Sequence, residues 1–357
     1  MPDSKMFSAA ALDAVTRAIF SKAGWPDADC AELARHLTGA NLAGHDSHGV
    51  GMIPRYIEAI KRGELTPLSR PRDVTASGAF LVVDARLALG QKVAADTISR
   101  ACAIAREGGV CVVNLINAHH IGRIGHYAEG VAAEGFVALF WVNVAHAKAP
   151  VAPFGGREGR LGTNPHTIGI PVADGEPLIL DFATSRIALG KVRVAHNKGE
   201  RVGPGTLLDA AGGETTDPGV MYQDPIVALL TFGEHKGSGI SIMAEILSAV
   251  LGLGTSVDQA ARNDAINNNL FGVILDPARL GADGETRKAR LAAYAAWLKS
   301  SAPRDPARPV LLPGEPERLS RAKRLREGIP VDAESWRQIV EAAAWVGVDA
   351  AAVAASS

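Results

Sequence analysis

The chain has 357 residues, 47% of them apolar and 21% charged, which is enough for sizeable cores and two or three subdomains. Its 37 basic and 38 acidic residues leave a formal net charge of −1, so no excess charge drives it toward nucleic acid or an anionic membrane. Cys30, Cys102 and Cys111 are few, odd in number and set in apolar runs, and neither a secretory signal nor a bilayer-spanning run is readable; the expectation is a cytoplasmic protein without disulfides.

Ser8 is placed to cap a first helix in which Ala11, Leu12, Val15, Ala18, Ile19 and Phe20 recur near helical spacing, ending at Gly24. A second helix is expected over 27–41 and a third over 54–61, before Gly63. Short β-branched or aromatic runs at 79–84, 110–115, 137–144 and 167–172 predict strands. Between the first two, residues 91–107 predict a helix with Ala94, Ile98, Cys102 and Ala105 on one face. Residues 236–251 give the clearest helix, with Gly252 where a C-terminal glycine belongs, and a strand follows at 270–275. The last third is helical, broken at 303–316 and 328–330. There Leu319, Ala322 and Leu325 are expected to be buried opposite a solvated face of Arg and Lys, and the tail beyond Val348 to fray. The expected architecture is an α/β chain of the α+β kind, with helical ends around a mixed sheet. It divides into a helical region 1–75, a sheet-containing region 76–285, and a helical region 286–357 packing with the first.

Several enzyme classes lose support at once, because the chain has no Gly-x-Gly-x-x-Gly, Walker A loop, CxxC pair, HExxH or GxSxG segment. What it has instead is Gly44-His45-Asp46-Ser47-His48-Gly49, two imidazoles, a carboxylate and a hydroxyl at a helix-to-loop boundary. Such crowding suits proton transfer, and His48 and His120 both qualify by residue type, imidazole titrating near neutral pH. His119, His120 and His126 could also form a metal site for a hydrolase. Adjacent histidines on a strand face opposite ways, however, and no Cys or acidic partner stands at a usual spacing, so no metal is expected. Asp181 ends the run PLILD, where it could orient an imidazole, bind a cofactor hydroxyl or cap the following turn. Gly162-Thr163-Asn164-Pro165 is a turn with two hydrogen-bonding side chains. Glu234-His235-Lys236-Gly237-Ser238-Gly239 opens the clearest helix; it reads either as a phosphate site or as simple capping by Ser238.

Taken together, GHDSHG, His120-Ile121-Gly122, VAPFGG, LGTNP, DFATS, His235-Lys236-Gly237 and Pro313-Gly314-Glu315 resemble the malate/L-lactate dehydrogenase family of non-Rossmann nicotinamide oxidoreductases, over Phe7 to about Val340. Within it, GHDSHGVGMIP, HHIGRIG and EHKG are similar to the hydroxycarboxylate dehydrogenase branch. The resemblance implies a largely antiparallel nicotinamide-binding sheet flanked by helices, a homodimer, and a small 2-oxo or 2-hydroxy acid as substrate with NAD or NADP as cofactor. It implies His48 as proton donor with Ser47 beside it. It also implies cofactor contacts at His48, Gly122, Arg123, Ile124, Leu178, Ile179, Leu180, Asp181, Phe182, His235, Lys236, Asn268, Leu312, Pro313, Gly314 and Glu315. One departure is plain: many members carry Arg four residues after this histidine, and here that position is Met52. Either Arg123 or Arg55 holds the substrate carboxylate, or the pocket favours a larger, more apolar substituent; Arg123 is equally placed to hold cofactor phosphate or a neighbouring carboxylate instead. Thr163 and Asn164 are expected to face the substrate, or Asn164 to do no more than stabilise its turn. The expected reaction is reduction of a 2-oxo acid, with a cyclic imino acid as the alternative substrate and a non-catalytic binding protein as the reading from another class.

Overall fold

The computed structural model describes residues 4–146, 148–172, 175–197, 199–223, 228–260, 265–281 and 283–356. Strand β1 (Ser4–Phe7) leads into helix α1 (Ala9–Lys22), which starts where the Ser8 hydroxyl accepts the Ala11 N–H at 2.9 Å. Helices α2 (Asp27–Leu42) and α3 (Ile53–Lys61) follow. The middle of the chain supplies β2 (Arg72–Ser77), β3 (Phe80–Asp84), α4 (Gly90–Gly108), β4 (Val110–His119), α5 (Gly125–Ala133), β5 (Val137–Ala145), β6 (His166–Ile170) and β7 (Leu178–Phe182). A smaller lobe holds α6 (Leu189–Asn197), β8 (Leu207–Leu208) and β9 (Glu214–Thr215), around its own core of Val151, Val192, Leu207 and Leu229. Helix α7 (His235–Glu245), β10 (Asn267–Leu275), α8 (Gly284–Lys299), α9 (Glu315–Glu327), β11 (Ile329–Asp332), α10 (Ala333–Trp345) and α11 (Ala350–Ala355) complete the chain.

The main sheet runs β2-β3-β4-β10-β5-β6-β7, and β3–β4 is its parallel pair while its other described pairs are antiparallel. The expected mixed, largely antiparallel sheet is what forms. Val93, Ala94, Ile98, Ala101, Cys102 and Ala105 of α4 bury against Val113, Leu115, Phe140 and Ile274 of the sheet. A second core joins the ends of the chain: Leu12, Ile19 and Phe20 of α1 meet Leu33 and Leu37 of α2, Tyr56 and Ile57 of α3, and Trp336 and Ile339 of α10. Strand pairing of β1 with β11, Ser4 opposite Asp332, ties the same ends together.

Four local expectations change. Beyond α7 the helix widens into a π segment, Ile246–Val250, and the left-handed residue after it is Leu253 at φ 57°, not Gly252. Gly252 is required for space, since a Cβ there would stand 1.8 Å from Asn114 Oδ1. Ser238 does not cap α7; it lies inside the helix, and its hydroxyl accepts the Phe154 N–H at 2.9 Å. The tail does not fray, because Asp349 caps α11 and Ala350 is buried. Helix α9 is reversed: Leu319 and Leu325 are 59% and 62% exposed, Ala322 is exposed too, and polar side chains face the protein. Its inward partners are polar as well, Arg318 donating to Pro177 O and Ser320 to Leu42 O.

Candidate active site

Helix α2 ends at Leu42, and Gly44 at φ +87° turns the chain into two 3-10 turns, Asp46–His48 and Val50–Met52. Asn41 pins both turns. Its Nδ2 donates to Asp46 Oδ1 at 2.7 Å and its Oδ1 accepts the Val50 N–H at 2.8 Å. Gly49 must be glycine here, because a Cβ would sit 2.2 Å from that Asn41 oxygen. From α9, Arg324 grips the Asp46 carboxylate with two bonds, 2.5 and 2.9 Å, and Glu317 takes His45 Nε2 at 3.1 Å. Asp46 and His45 are thus committed to holding the segment. His48 is left half-buried, with Ser47 Oγ 3.1 Å from its Nδ1, and Gly190 of the small lobe lies against Ser47.

His120 arrives from the end of β4. Its ring lies nearly parallel to that of His48, with centroids 5.8 Å apart and planes 17° from coplanar. Behind it, Tyr56 Oη is 2.6 Å from His120 Nδ1 and accepts from Gln91 Nε2 at 2.7 Å. Burial, followed by the charges of His45 and Arg123, pushes the His48 imidazole down to about 4. Burial also pushes His120 well below its ordinary value, with His48, His119 and Arg55 adding to it. The two rings are therefore neutral near pH 7.

His119 is buried, and its ring makes a T-shaped contact with Tyr56 at 5.6 Å between centroids. His126 stands elsewhere, with Glu32 and His36, so the three histidines of the metal reading are not gathered. Glu32, His36 and His126 do bring ligand atoms within 4.8 Å of one another. Yet His36 Nε2 accepts the Arg123 N–H at 2.9 Å, which puts the proton of a neutral ring on Nδ1, and Arg35 already holds both Glu32 oxygens. That arrangement is a poor cation cage.

The remaining expected site residues fall into two groups. Gly122, Arg123 and Ile124 form a loop that touches β7, since the Gly125 N–H donates to Asp181 Oδ2 at 3.1 Å. Strand β7 in turn meets the 312–315 segment where the Ile179 N–H donates to Pro313 O at 3.2 Å. Phe182 packs edge-on against Phe232, three residues before His235, and His235 and Lys236 are exposed at the start of α7. Of these segments, Gly122, Arg123 and Ile124 are themselves buried, while Leu180, Pro313, His235 and Lys236 are exposed.

Other expected residues are enclosed or already engaged. Arg123 is buried and spends its guanidinium on Glu129 at 2.7 Å and Asp181 at 3.2 Å, so it does not present a free cation to a substrate carboxylate. Burial raises the Asp181 carboxyl above its ordinary range, and Arg123, His45 and the Gly125 N–H pull against that rise. Asn268 is buried and props the loop, accepting the Ile121 N–H at 3.0 Å. Asn164 is 0% exposed, at φ 26°, accepting from Val144 N and donating to Ser241 O and Glu245 Oε2, each at 3.0 Å. A side chain so enclosed cannot meet a substrate; it stabilises the turn. Thr163 is half-buried, and Thr184 binds its carbonyl. Leu312 N–H donates to Glu315 Oε2, which fixes the turn before α9.

Tyr56, Gln91, Asn41, His36 and Arg324 were not singled out in the sequence. Gly90-Gln91 offered the one local signal, because a glycine opening a helix marks close backbone approach. A Cβ there would be 2.0 Å from His119 O.

Comparison with known proteins shows the family and the fold. A family model described as malate/L-lactate dehydrogenase matches residues 7–340. Hydroxycarboxylate dehydrogenase B of Escherichia coli strain K12 is 42% identical over 98% of this chain and 96% of that protein. The solved sulfolactate dehydrogenase of Methanocaldococcus jannaschii superposes with a TM-score of 0.87 at 29% identity, covering 98% of this chain and 99% of the other. A Δ1-piperideine-2-carboxylate reductase from Pseudomonas syringae pv. tomato gives 0.82 at 29% identity, over 95% and 99%. The chain belongs to the malate/L-lactate dehydrogenase family.

Proposed function

We propose that the protein interconverts 2-oxo acids and 2-hydroxy acids with NAD or NADP as hydride carrier. The observation that carries this reading is the desolvated pair His48 and His120, nearly parallel and 5.8 Å apart, at the junction of the helical ends and the sheet. A dihydronicotinamide held there would supply the hydride for the carbonyl carbon. His48 gives the carbonyl oxygen its proton; Ser47 occupies Nδ1, which leaves Nε2 as the atom that transfers it. The residues fit such a cofactor. Lys236, exposed at the start of α7, suits phosphate, and the 178–182 and 312–315 segments meet where Gly314 lacks a Cβ beside Ile179 N, with the buried 122–124 loop behind them.

With Arg123 engaged, Arg55 is the better partner for the substrate carboxylate. It is exposed, lies 3.2 Å from His146 Nε2, and its charge reaches both His119 and His120. Met52, half-buried against the helical core, replaces a second cation by an adaptable thioether, which favours large or aromatic 2-oxo acids. A cyclic imino acid is the second reading, favoured by the likeness to the piperideine-2-carboxylate reductase. Two further features support a homodimer and a reducing compartment. Helix α8 buries no residue and exposes Tyr294 and Trp297, the latter at 68%. Cys30, Cys102 and Cys111 are free and buried, with burial raising their thiols to about 11, 12 and 11. No described helix is long and apolar enough to cross a membrane.

The test is a rate screen of phenylpyruvate, oxaloacetate, pyruvate and Δ1-piperideine-2-carboxylate against NADH and NADPH, followed at the nicotinamide absorbance. Phenylpyruvate should be reduced at least as well as oxaloacetate. Turnover of the imine alone would favour the second reading, and no oxidation of either cofactor would overturn both.

A further inference from the structure

The hydrogen bonds behind His120 do more than anchor a ring. Tyr56 and Gln91 are both 0% exposed, so each polar atom there has few ways to be satisfied. Gln91 Nε2 donates to Tyr56 Oη at 2.7 Å, and the hydroxyl has a single proton with His120 Nδ1 at 2.6 Å. Burial raises Tyr56 far above the ordinary phenol range, so the hydroxyl keeps that proton. Given to Nδ1, it makes that nitrogen an acceptor and leaves the proton of the neutral ring on Nε2.

The opposite tautomer is costly. With a proton on Nδ1, the Tyr56 oxygen would receive two N–H groups and its own proton would have no acceptor among the described residues. Turning the Gln91 amide would provide one, but it would strand a buried NH2 group instead of the single unpaired Gln91 Oε1 seen here. Gly90 makes the arrangement reachable, since any side chain there would collide with the carbonyls of His119 and His120 at 2.0 and 2.3 Å.

We propose that Gln91 and Tyr56 are positioning residues that lock His120 as the Nε2–H tautomer, a fixed hydrogen-bond donor to the substrate's reacting oxygen while His48 exchanges the proton. The second half rests on the proposed 2-oxo acid reaction; the tautomer itself does not. Nε2 makes no hydrogen bond among the described residues, so its proton is available to a substrate.

The experiment labels the histidines with 15N in the full-length protein. The His120 tautomer is read from long-range 1H–15N correlations, assigned by comparison with His120→Asn. The wild type should show Nε2–H. Gln91→Glu places a carboxylate where the amide donated, so above the carboxyl's own pKa it accepts the Tyr56 O–H as a hydrogen bond, and the phenol oxygen is left to accept from His120 Nδ1–H. The tautomer should invert, and turnover should fall roughly a hundredfold or more, as when one oxyanion donor is lost. Cofactor affinity should hold. If Gln91→Glu does not fold, Tyr56→Phe removes the donor and should leave a mixture of tautomers with roughly tenfold to hundredfold lower turnover. An Nδ1–H signal in the wild type, or Nε2–H retained in the folded variants, overturns the proposal. The predicted tautomers in a protein that reduces no 2-oxo acid would instead overturn the functional reading.

Discussion

On the proposed reading that His48 exchanges the proton, its depressed imidazole determines which direction of the reaction must carry the pH dependence. Reduction of a carbonyl by a dihydronicotinamide consumes one proton, so the ratio of kcat/KM for reduction to that for oxidation must fall about tenfold per pH unit. An imidazole near 4 is neutral throughout pH 5–8. Oxidation needs that neutral ring as base and should be flat across the window. Reduction needs the imidazolium and should lose about a thousandfold in kcat/KM between pH 5 and 8. An unperturbed histidine near 6.5 would behave otherwise: reduction would be flat below about 6.5 and oxidation would decline there. The displacement from 6.5 to about 4 represents about 3 kcal/mol against the charged ring, with burial as its largest cause. The assay is initial rates at low substrate and saturating cofactor, in both directions, at constant ionic strength. A shared break between pH 6 and 7 would refute the reasoning, because it would mean that His48 is solvated well enough to titrate normally.

Acid should also destabilise the fold. Burial holds the folded values of His48 and His119 at about 4, below the unfolded 6.5, so the unfolded chain binds protons first. Their stabilisation is complete above about pH 6.5 and is lost as pH falls toward 4, each costing about 2 kcal/mol at pH 5; equal urea midpoints at pH 7 and 5 would contradict this. Gly122→Ala adds a Cβ 2.3 Å from His36 Nε2 at φ +77°, and should cost about 2–4 kcal/mol and weaken cofactor binding, both measurable by melting and calorimetric titration. Asn41→Leu strips the anchor from both turns around His48 and should cost about 2–3 kcal/mol with a clear loss of turnover. Arg324→Ala removes a grip on a half-exposed carboxylate and should cost under about 1 kcal/mol; equal losses in these two variants would show that the ion pair, not the amide, holds the segment.

What could be read in the sequence was what is local. The Ser8 cap, the apolar period of α1 and α4 and the crowding of GHDSHG each depend on neighbours within a few positions, and the structure keeps them. What could not be read was the destination of each polar group. Asn164 could be read either as a substrate contact or as a turn stabiliser, and the turn alone does not decide; here its amide reaches Glu245 and Ser241, some eighty residues on. Arg123 looked like the needed cation because it follows His120 by three residues in a glycine-flanked loop, yet Glu129 of the next helix and Asp181 from another strand take its guanidinium. Helix α9 shows the same limit. Its leucines predicted a buried stripe, but the face toward the His48 segment had to supply Arg324, Ser320 and Glu317 to groups left over from the end of α2, and the leucines were turned outward. Tyr56 is the sharpest case. At an i, i+4 position of an amphipathic helix it reads as core, and its ring is indeed core, packed against Phe20. Its hydroxyl, however, meets Gln91 and His120 only because β4 and the glycine start of α4 converge on it. The chemistry of this site therefore depends on long-range convergence of polar groups, while the hydrophobic pattern that folds the chain stays blind to it.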